Sequence, residues 1–354
     1  MYSESLPSPT SRWQDLSKLL LNDSPFTDKS LFSPSPAFLD TFLAYSKILI
    51  VGAGGLGCEI AKDLALSGFK EIHIIDMDKI DISNLNRQFL FRMKDVGRYK
   101  SEVVAEFLTK RITTCTVVAH VSKIQDMPLD FFKQFMVFIA GLDNVEARQY
   151  LNLIAHVLVE FDESNNPRPE TQMPVIDGGT EGFRGQARVI WPYKTACFEC
   201  TIDSLTPQIK FNLCTIANTP RKPEHCVSYA MLILWDQEHA GEKVDTDCRE
   251  HIQWICEKAK ERAAEFGIVG VDYNLTLGVV KNIIPAIAST NALIAAACSN
   301  EAMKIMTACS KSLDTYFMFM GQTGVYTSTF AYEKKSDCMV CGNKKLKSTF
   351  NLEN

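Results

Sequence analysis

Residues 47–57 read KILIVGAGGLG, and no other stretch restricts the fold as much. Five residues suited to a buried strand run straight into glycines, and Cys58 to Leu66 then follows with helical character. Gly52, Gly54, Gly55 and Gly57 let the backbone approach a phosphate at the positive end of that helix. Further strand-like runs occur at 71–78, 116–120, 135–144, 174–179 and 186–192, with a helical stretch over Ser101–Arg111. Strand–helix–strand alternation predicts an α/β fold with a doubly wound, mostly parallel sheet.

The rhythm stops between about Thr201 and Gly278, where Pro, His and charged helical sequence predict an inserted, mainly helical unit. It returns with a helix over 283–309 and a hairpin whose strands, 315–320 and 325–332, flank GQTG. The chain therefore divides into an N-terminal arm (1–45), a first α/β part (46–203), an insertion (204–282), a second α/β part (283–342) and a tail (343–354). In the arm, Trp13, Leu16, Leu19 and Leu20 recur at helical spacing.

Composition closes off other classes. At 354 residues, with 46% hydrophobic and 22% charged, the chain suits a globular protein of about two domains. A net charge of -5 argues against a nucleic-acid surface spread over the chain. The longest apolar stretch, 283–298, is interrupted by Pro285, Ser289, Thr290 and Asn291, too short and polar for a membrane span. Twelve cysteines behind an N-terminus with no basic-then-apolar pattern point to a reducing compartment, cytoplasmic or nuclear.

The glycine turn alone would suit a dehydrogenase. Asp76 ends the second strand, 19 residues after Gly57, where a carboxylate can accept ribose hydroxyls. Next, however, SNLNRQFLF leads into RMKDVGRYK, with four positive charges against one negative. Arg87 and Lys100 there suit a triphosphate. Asp143, at the end of the 135–144 strand, can hold magnesium on phosphates; its bland alternative is a helix N-cap. Cys197-x-x-Cys200 and Cys338-x-x-Cys341 supply four soft ligands, enough for a closed tetrahedral zinc site. Cys214 lies in a polar, locally basic segment that favours a thiolate, although spacing alone leaves Cys226 open as the nucleophile.

Together GAGGLG, IDMDKIDISNLNRQFLF, DVGRYK, GLDN, DGGTEGFRGQ, the paired CxxC and CTIANTPRKPEHC resemble the ThiF-type adenylating enzymes that activate ubiquitin-like modifiers. The resemblance runs from about Trp13 to Cys341 and is nearest to the neddylation branch. It implies ATP as substrate, wrapped by the four glycines, with Asp76 on the ribose, Asn84, Arg87 and Lys100 on the phosphates, and Asp143 on Mg2+. It implies Cys214 as thioester nucleophile and a structural Zn2+ on the four CxxC cysteines. It also implies three partners: a catalytically silent sister subunit, the modifier and a conjugating enzyme.

Arg188 matches the neddylation branch, where it would repel the arginine that ubiquitin carries in its tail; the bland reading is an exposed strand arginine. The family continues past the zinc knuckle into a ubiquitin-like domain that recruits the conjugating enzyme, whereas thirteen residues follow Cys341. A bacterial sulfur-carrier adenylyltransferase, a subunit for a SUMO- or ubiquitin-type modifier and a non-catalytic scaffold subunit remain as alternatives. The helical insertion around Cys214 opposes the first. The intact glycine turn, Arg87, Lys100, Asp143 and Cys214 oppose the last.

Overall fold

The computed structural model describes residues 13–27, 29–204, 217–239, 241–245, 248–280 and 286–342. Its backbone forms two compact units, one made of 1–204 with 286–354 and the other of 205–285.

In the larger unit, eight strands share one sheet in the order β3-β2-β1-β4-β5-β6-β7-β8. They are β1 (Lys47–Val51), β2 (Glu71–Ile75), β3 (Thr116–His120), β4 (Val137–Ala140), β5 (Val175–Glu181), β6 (Arg184–Ile190), β7 (Tyr316–Met320) and β8 (Tyr326–Phe330). The strands from β3 through β5 are parallel to their neighbours, and β6 to β8 continue the sheet antiparallel. Central parallel strands are covered on both faces, which is why β1 and β4 read as unbroken apolar runs. Ile48, Leu49, Ile50, Val137, Phe138 and Ile139 are fully buried. By contrast, all of β8 is exposed.

Helices α1 (Gln14–Leu20) and α2 (Pro36–Tyr45) precede the sheet. The crossovers are α3 (Gly55–Leu66), α4 (Lys100–Arg111), the single turn α5 (Leu129–Phe132) and α6 (Val145–Val157). Helix α3 buries Leu56, Cys58, Ile60, Ala61, Leu64 and Ala65, so its apolar face recurs with helical period. The strand order reverses direction between β1 and β4. In such sheets the crevice at the carboxyl ends of those two strands is where ligands bind.

The smaller unit is helical. It contains α7 (Pro223–Tyr229), a π-helical turn (Ala230–Leu234) running into Trp235–Glu238, α8 (Arg249–Glu265) and α9 (Tyr273–Val280). Cys226, Val227, Trp235, Ile252, Ile255, Ala259 and Val280 form its core. In the larger unit again, α10 (Ala288–Thr307) buries Ile294, Ala295, Cys298 and Ala302 in the main core. It begins later than the periodicity of 283–309 suggests, because Ile287 is extended and caps it.

Candidate functional site

Three backbones meet at the switch point. Gly52, at φ +99°, donates its N–H to Ile75 O at 2.8 Å and turns the chain from β1 towards α3. A Cβ on Gly57 would lie 1.9 Å from Gly52 O, and one on Gly52 would lie 2.6 Å from Gly141 O at the end of β4. Only glycine permits this approach. Gly54 caps α3 without a side chain, which leaves the helix's positive end uncovered by any protein carboxylate at the cap.

Asp76 borders that turn. Its Oδ2 accepts the Ala53 N–H at 2.6 Å and its Oδ1 the Asp78 N–H at 2.8 Å. Burial raises its pKa against the opposing pull of the Lys100 ammonium and these two N–H donors. Lys100 opens α4, is nearly buried, and donates from Nζ to Asp78 Oδ2 at 2.8 Å. Its amide N–H also reaches Asp78 O at 2.9 Å, so side chain and backbone are held by the same residue.

The basic segment starts with a 3-10 turn over Ile82–Asn84, where Asn84 Oδ1 accepts the Asp81 N–H at 2.9 Å. Arg87 is half-buried and donates from Nη1 to Ser83 O at 2.9 Å and Asn86 Oδ1 at 3.1 Å. Its carbonyl oxygen lies 3.4 Å from where a Cβ on Gly55 would sit, so this segment flanks the start of α3. Asp143 is exposed two residues beyond Gly141, with Oδ1 accepting from Asn144 Nδ2 at 3.3 Å. It is not the helix cap. Asn144 caps α6 by accepting the Ala147 N–H at 2.8 Å, leaving the Asp143 carboxylate open to solvent. A hard, exposed carboxylate of this kind fits Mg2+.

Arg188 is not an exposed strand arginine. It is 3% exposed and lies opposite Asp177 across the β5–β6 ladder. Its Nε donates to Asp177 Oδ2 at 2.8 Å and its Nη1 to Thr201 Oγ1 at 2.6 Å, with the guanidinium 4.6 Å from the Phe198 ring centre. Arg148, on α6, donates to the other Asp177 oxygen. Two arginines thus share one buried carboxylate, an excess of one positive charge. Among the described residues, Nη2 of Arg188 meets no acceptor.

The four CxxC sulfurs lie within 4.8 Å of one another. Cys197 and Cys338 are 3.6 Å apart, Cys200 and Cys341 3.3 Å, and the Lys335 N–H points at Cys200 Sγ at 3.4 Å. The neighbouring Cys341 thiol draws the Cys197 pKa down against the cost of burial. Four buried cysteine sulfurs this close together fit a closed zinc site.

Cys214 lies outside the described residues. Cys226 is fully buried in the core of the smaller unit, and burial pushes its thiol pKa up, which disfavours the thiolate a nucleophile needs. Sequence reasoning passed over Arg148 and Asp177. A carboxylate in the otherwise apolar PVIDGG strand was the available signal, since a buried charge needs a partner. Gln88 was also missed: it is buried and its Nε2 lies 3.9 Å from a Cβ on Gly54.

Comparison with known proteins agrees with this geometry. The ThiF family model matches residues 39–340. The chain is 51% identical over 334 residues to the NEDD8-activating enzyme E1 catalytic subunit of Arabidopsis thaliana, covering 94% of this chain and 73% of that one. It is 50% identical over 351 residues to the Dictyostelium discoideum protein of the same name, covering 97% and 79%. Among solved structures, E. coli MccB with ATP superposes with a TM-score of 0.53 at 20% identity over 87% of this chain and 69% of that one, a likeness of fold. The sheet order, the four-thiol cluster and these near-full-length matches together show that the chain belongs to the ThiF family, on the branch of the NEDD8-activating E1 catalytic subunits.

Proposed function

We propose that this chain is the catalytic subunit of a heterodimer that activates NEDD8 in three steps: adenylation, thioester formation and transfer. The observation that carries the reading is the convergence on one switch point of the glycine turn, Asp76, the Arg87 segment, Lys100 and the open carboxylate of Asp143.

ATP enters with its phosphates on the glycine turn and its ribose on Asp76. The modifier's C-terminal carboxylate attacks the α-phosphate; a new P–O bond forms, the α–β bridging bond breaks and pyrophosphate leaves. Asn84, Arg87 and Lys100 face the phosphates. Arg87 and Lys100 meet the charge that develops, and a cation already held in place by Asp78 costs little reorganisation at that moment. Asp143 would hold Mg2+, which when bound would neutralise part of the phosphate charge. The Cys214 thiolate then attacks the acyl carbon and AMP departs, leaving a thioester that a conjugating enzyme's cysteine accepts by thiol exchange.

Zn2+ on Cys197, Cys200, Cys338 and Cys341 is structural, since four protein thiolates leave no open position. A free Cys214 requires a reducing compartment, the cytoplasm or nucleus. Arg188 as the specificity residue rests on the match to the neddylation branch, where its charge would oppose an arginine in the modifier tail.

ATP–pyrophosphate exchange tests this reading, run with a panel of modifiers and with or without the sister subunit. NEDD8 should support exchange and ubiquitin little; the opposite preference overturns the substrate. Cys214→Ala should keep exchange and lose the thioester. A thioester that survives in that variant assigns the nucleophile elsewhere.

A further inference from the structure

The turn that carries Asp143 is held from behind. Arg148 Nη2 donates to the carbonyl of Leu142, the residue just before Asp143, and to the carbonyl of Gly178 on β5 at 3.0 Å. Arg148 Nη1 is fixed by Asp177, and the other Asp177 oxygen is fixed by Arg188 Nε at 2.8 Å. Arg188 Nη1 then reaches Thr201 Oγ1 at 2.6 Å, one residue beyond the zinc-cluster cysteine Cys200, and Thr201 Oγ1 in turn donates to Phe198 O at 3.0 Å. A continuous hydrogen-bonded chain therefore runs from the Cys197–Cys200 segment to the carbonyl next to Asp143. Asp177 and Thr201 are fully buried, and the Arg148 side chain is 11% exposed.

We propose that Arg148 is a positioning residue for adenylation: it sets the turn that presents Asp143, and Asp177, Arg188 and Thr201 brace it against the zinc-cluster segment. Spanning two carbonyls and a carboxylate needs the planar fork of an arginine. A lysine keeps the charge and can reach Asp177, but as a point donor it cannot hold all three. Groups that orient a metal ligand commonly change metal affinity when they are altered. The inference rests on the proposed metal-holding role of Asp143.

The decisive experiment compares Arg148→Lys, Asp143→Asn and the unaltered chain in complex with its sister subunit. Two quantities are read: the half-saturating Mg2+ concentration in ATP–pyrophosphate exchange, and amide hydrogen exchange of residues 141–144 without nucleotide. Arg148→Lys should raise the Mg2+ requirement about tenfold and speed exchange at 141–144 while the melting temperature stays near that of the unaltered chain. Unaltered values for both readouts overturn the proposal. If Asp143→Asn leaves the Mg2+ requirement untouched, the metal role of Asp143 fails, and amide exchange alone decides Arg148. If Arg148→Lys does not fold, Thr201→Val cuts the far end of the brace. It should then loosen 141–144, and unchanged exchange there overturns the proposal.

Discussion

Asp177 and Arg188 face each other on neighbouring antiparallel strands, joined at 2.8 Å and both almost sealed from solvent. Such a pair contributes little net stability, but removing one side strands a buried charge. The two sides are unequal here. Asp177→Asn leaves both arginines without their carboxylate and should destabilise by about 3–5 kcal/mol. Arg188→Gln leaves Asp177 paired with Arg148 and should cost clearly less. Chemical denaturation of the two variants gives the order, and Arg188→Gln should also relax discrimination against ubiquitin in the exchange assay. Equal costs would mean that Arg148 does not compensate Asp177.

Stability should fall in mild acid. His73 Nε2 lies 2.7 Å from the Glu71 carboxylate and its Nδ1 2.8 Å from His120 Nε2. The carboxylate requires the proton on His73 Nε2, so neutral His73 accepts at Nδ1 and His120 must donate. Protonating His73 would make Nδ1 a donor and force His120 to change tautomer so that its Nε2 accepts. Burial holds both histidines below the usual 6.5, so the unfolded chain takes up more protons as pH drops beneath that value. Stability is therefore present above about pH 6.5 and lost below it. Thermal melts at pH 7.5 and 5.5 should differ by several degrees. His120→Asn should shrink that difference, and an undiminished one would assign the acid sensitivity elsewhere.

Two glycine substitutions should have opposite signs. Gly57→Ala drives a methyl into Gly52 O and should abolish nucleotide binding in calorimetry. Gly278→Ala, inside α9 with nothing within 4 Å, should stabilise by about 0.5–1 kcal/mol. A Gly57→Ala chain that still bound ATP would show that the close approach is dispensable.

Removing zinc should loosen the end of the larger unit without abolishing its sheet. A chelator strong enough to strip four thiolates, or Cys338→Ser, should lower the melting temperature by a few degrees. Circular dichroism should keep most of its signal. Re-addition of zinc should restore the melt in the stripped chain and not in Cys338→Ser.

How much of this could be read from the sequence depends on range. Val51 to Gly57 is legible because strand, turn and helix follow without interruption, and each residue type has a local reason. The paired CxxC is legible although its halves lie far apart, because each carries the ligand spacing by itself. Arg148 carries no such mark. It meets Asp177, 29 residues away, only because β5 lies beside β4 and α6 packs across them. Arg188 is legible as a residue, but its burial against Asp177 is not, since alternation along a strand does not tell which face a neighbouring element covers. The π-helical turn at Ala230–Leu234 has no sequence signature at all.

The contacts that Gly52 and Gly57 make with backbone leave no volume at these two positions for any side chain, so this corner has no path of gradual change. Elsewhere a larger residue can be admitted by a neighbour shrinking, but here the neighbours are backbone and have nothing to give up. Innovation in a fold built this way has to happen at its periphery, in arms, insertions and added strands, while the floor of the crevice stays as it is.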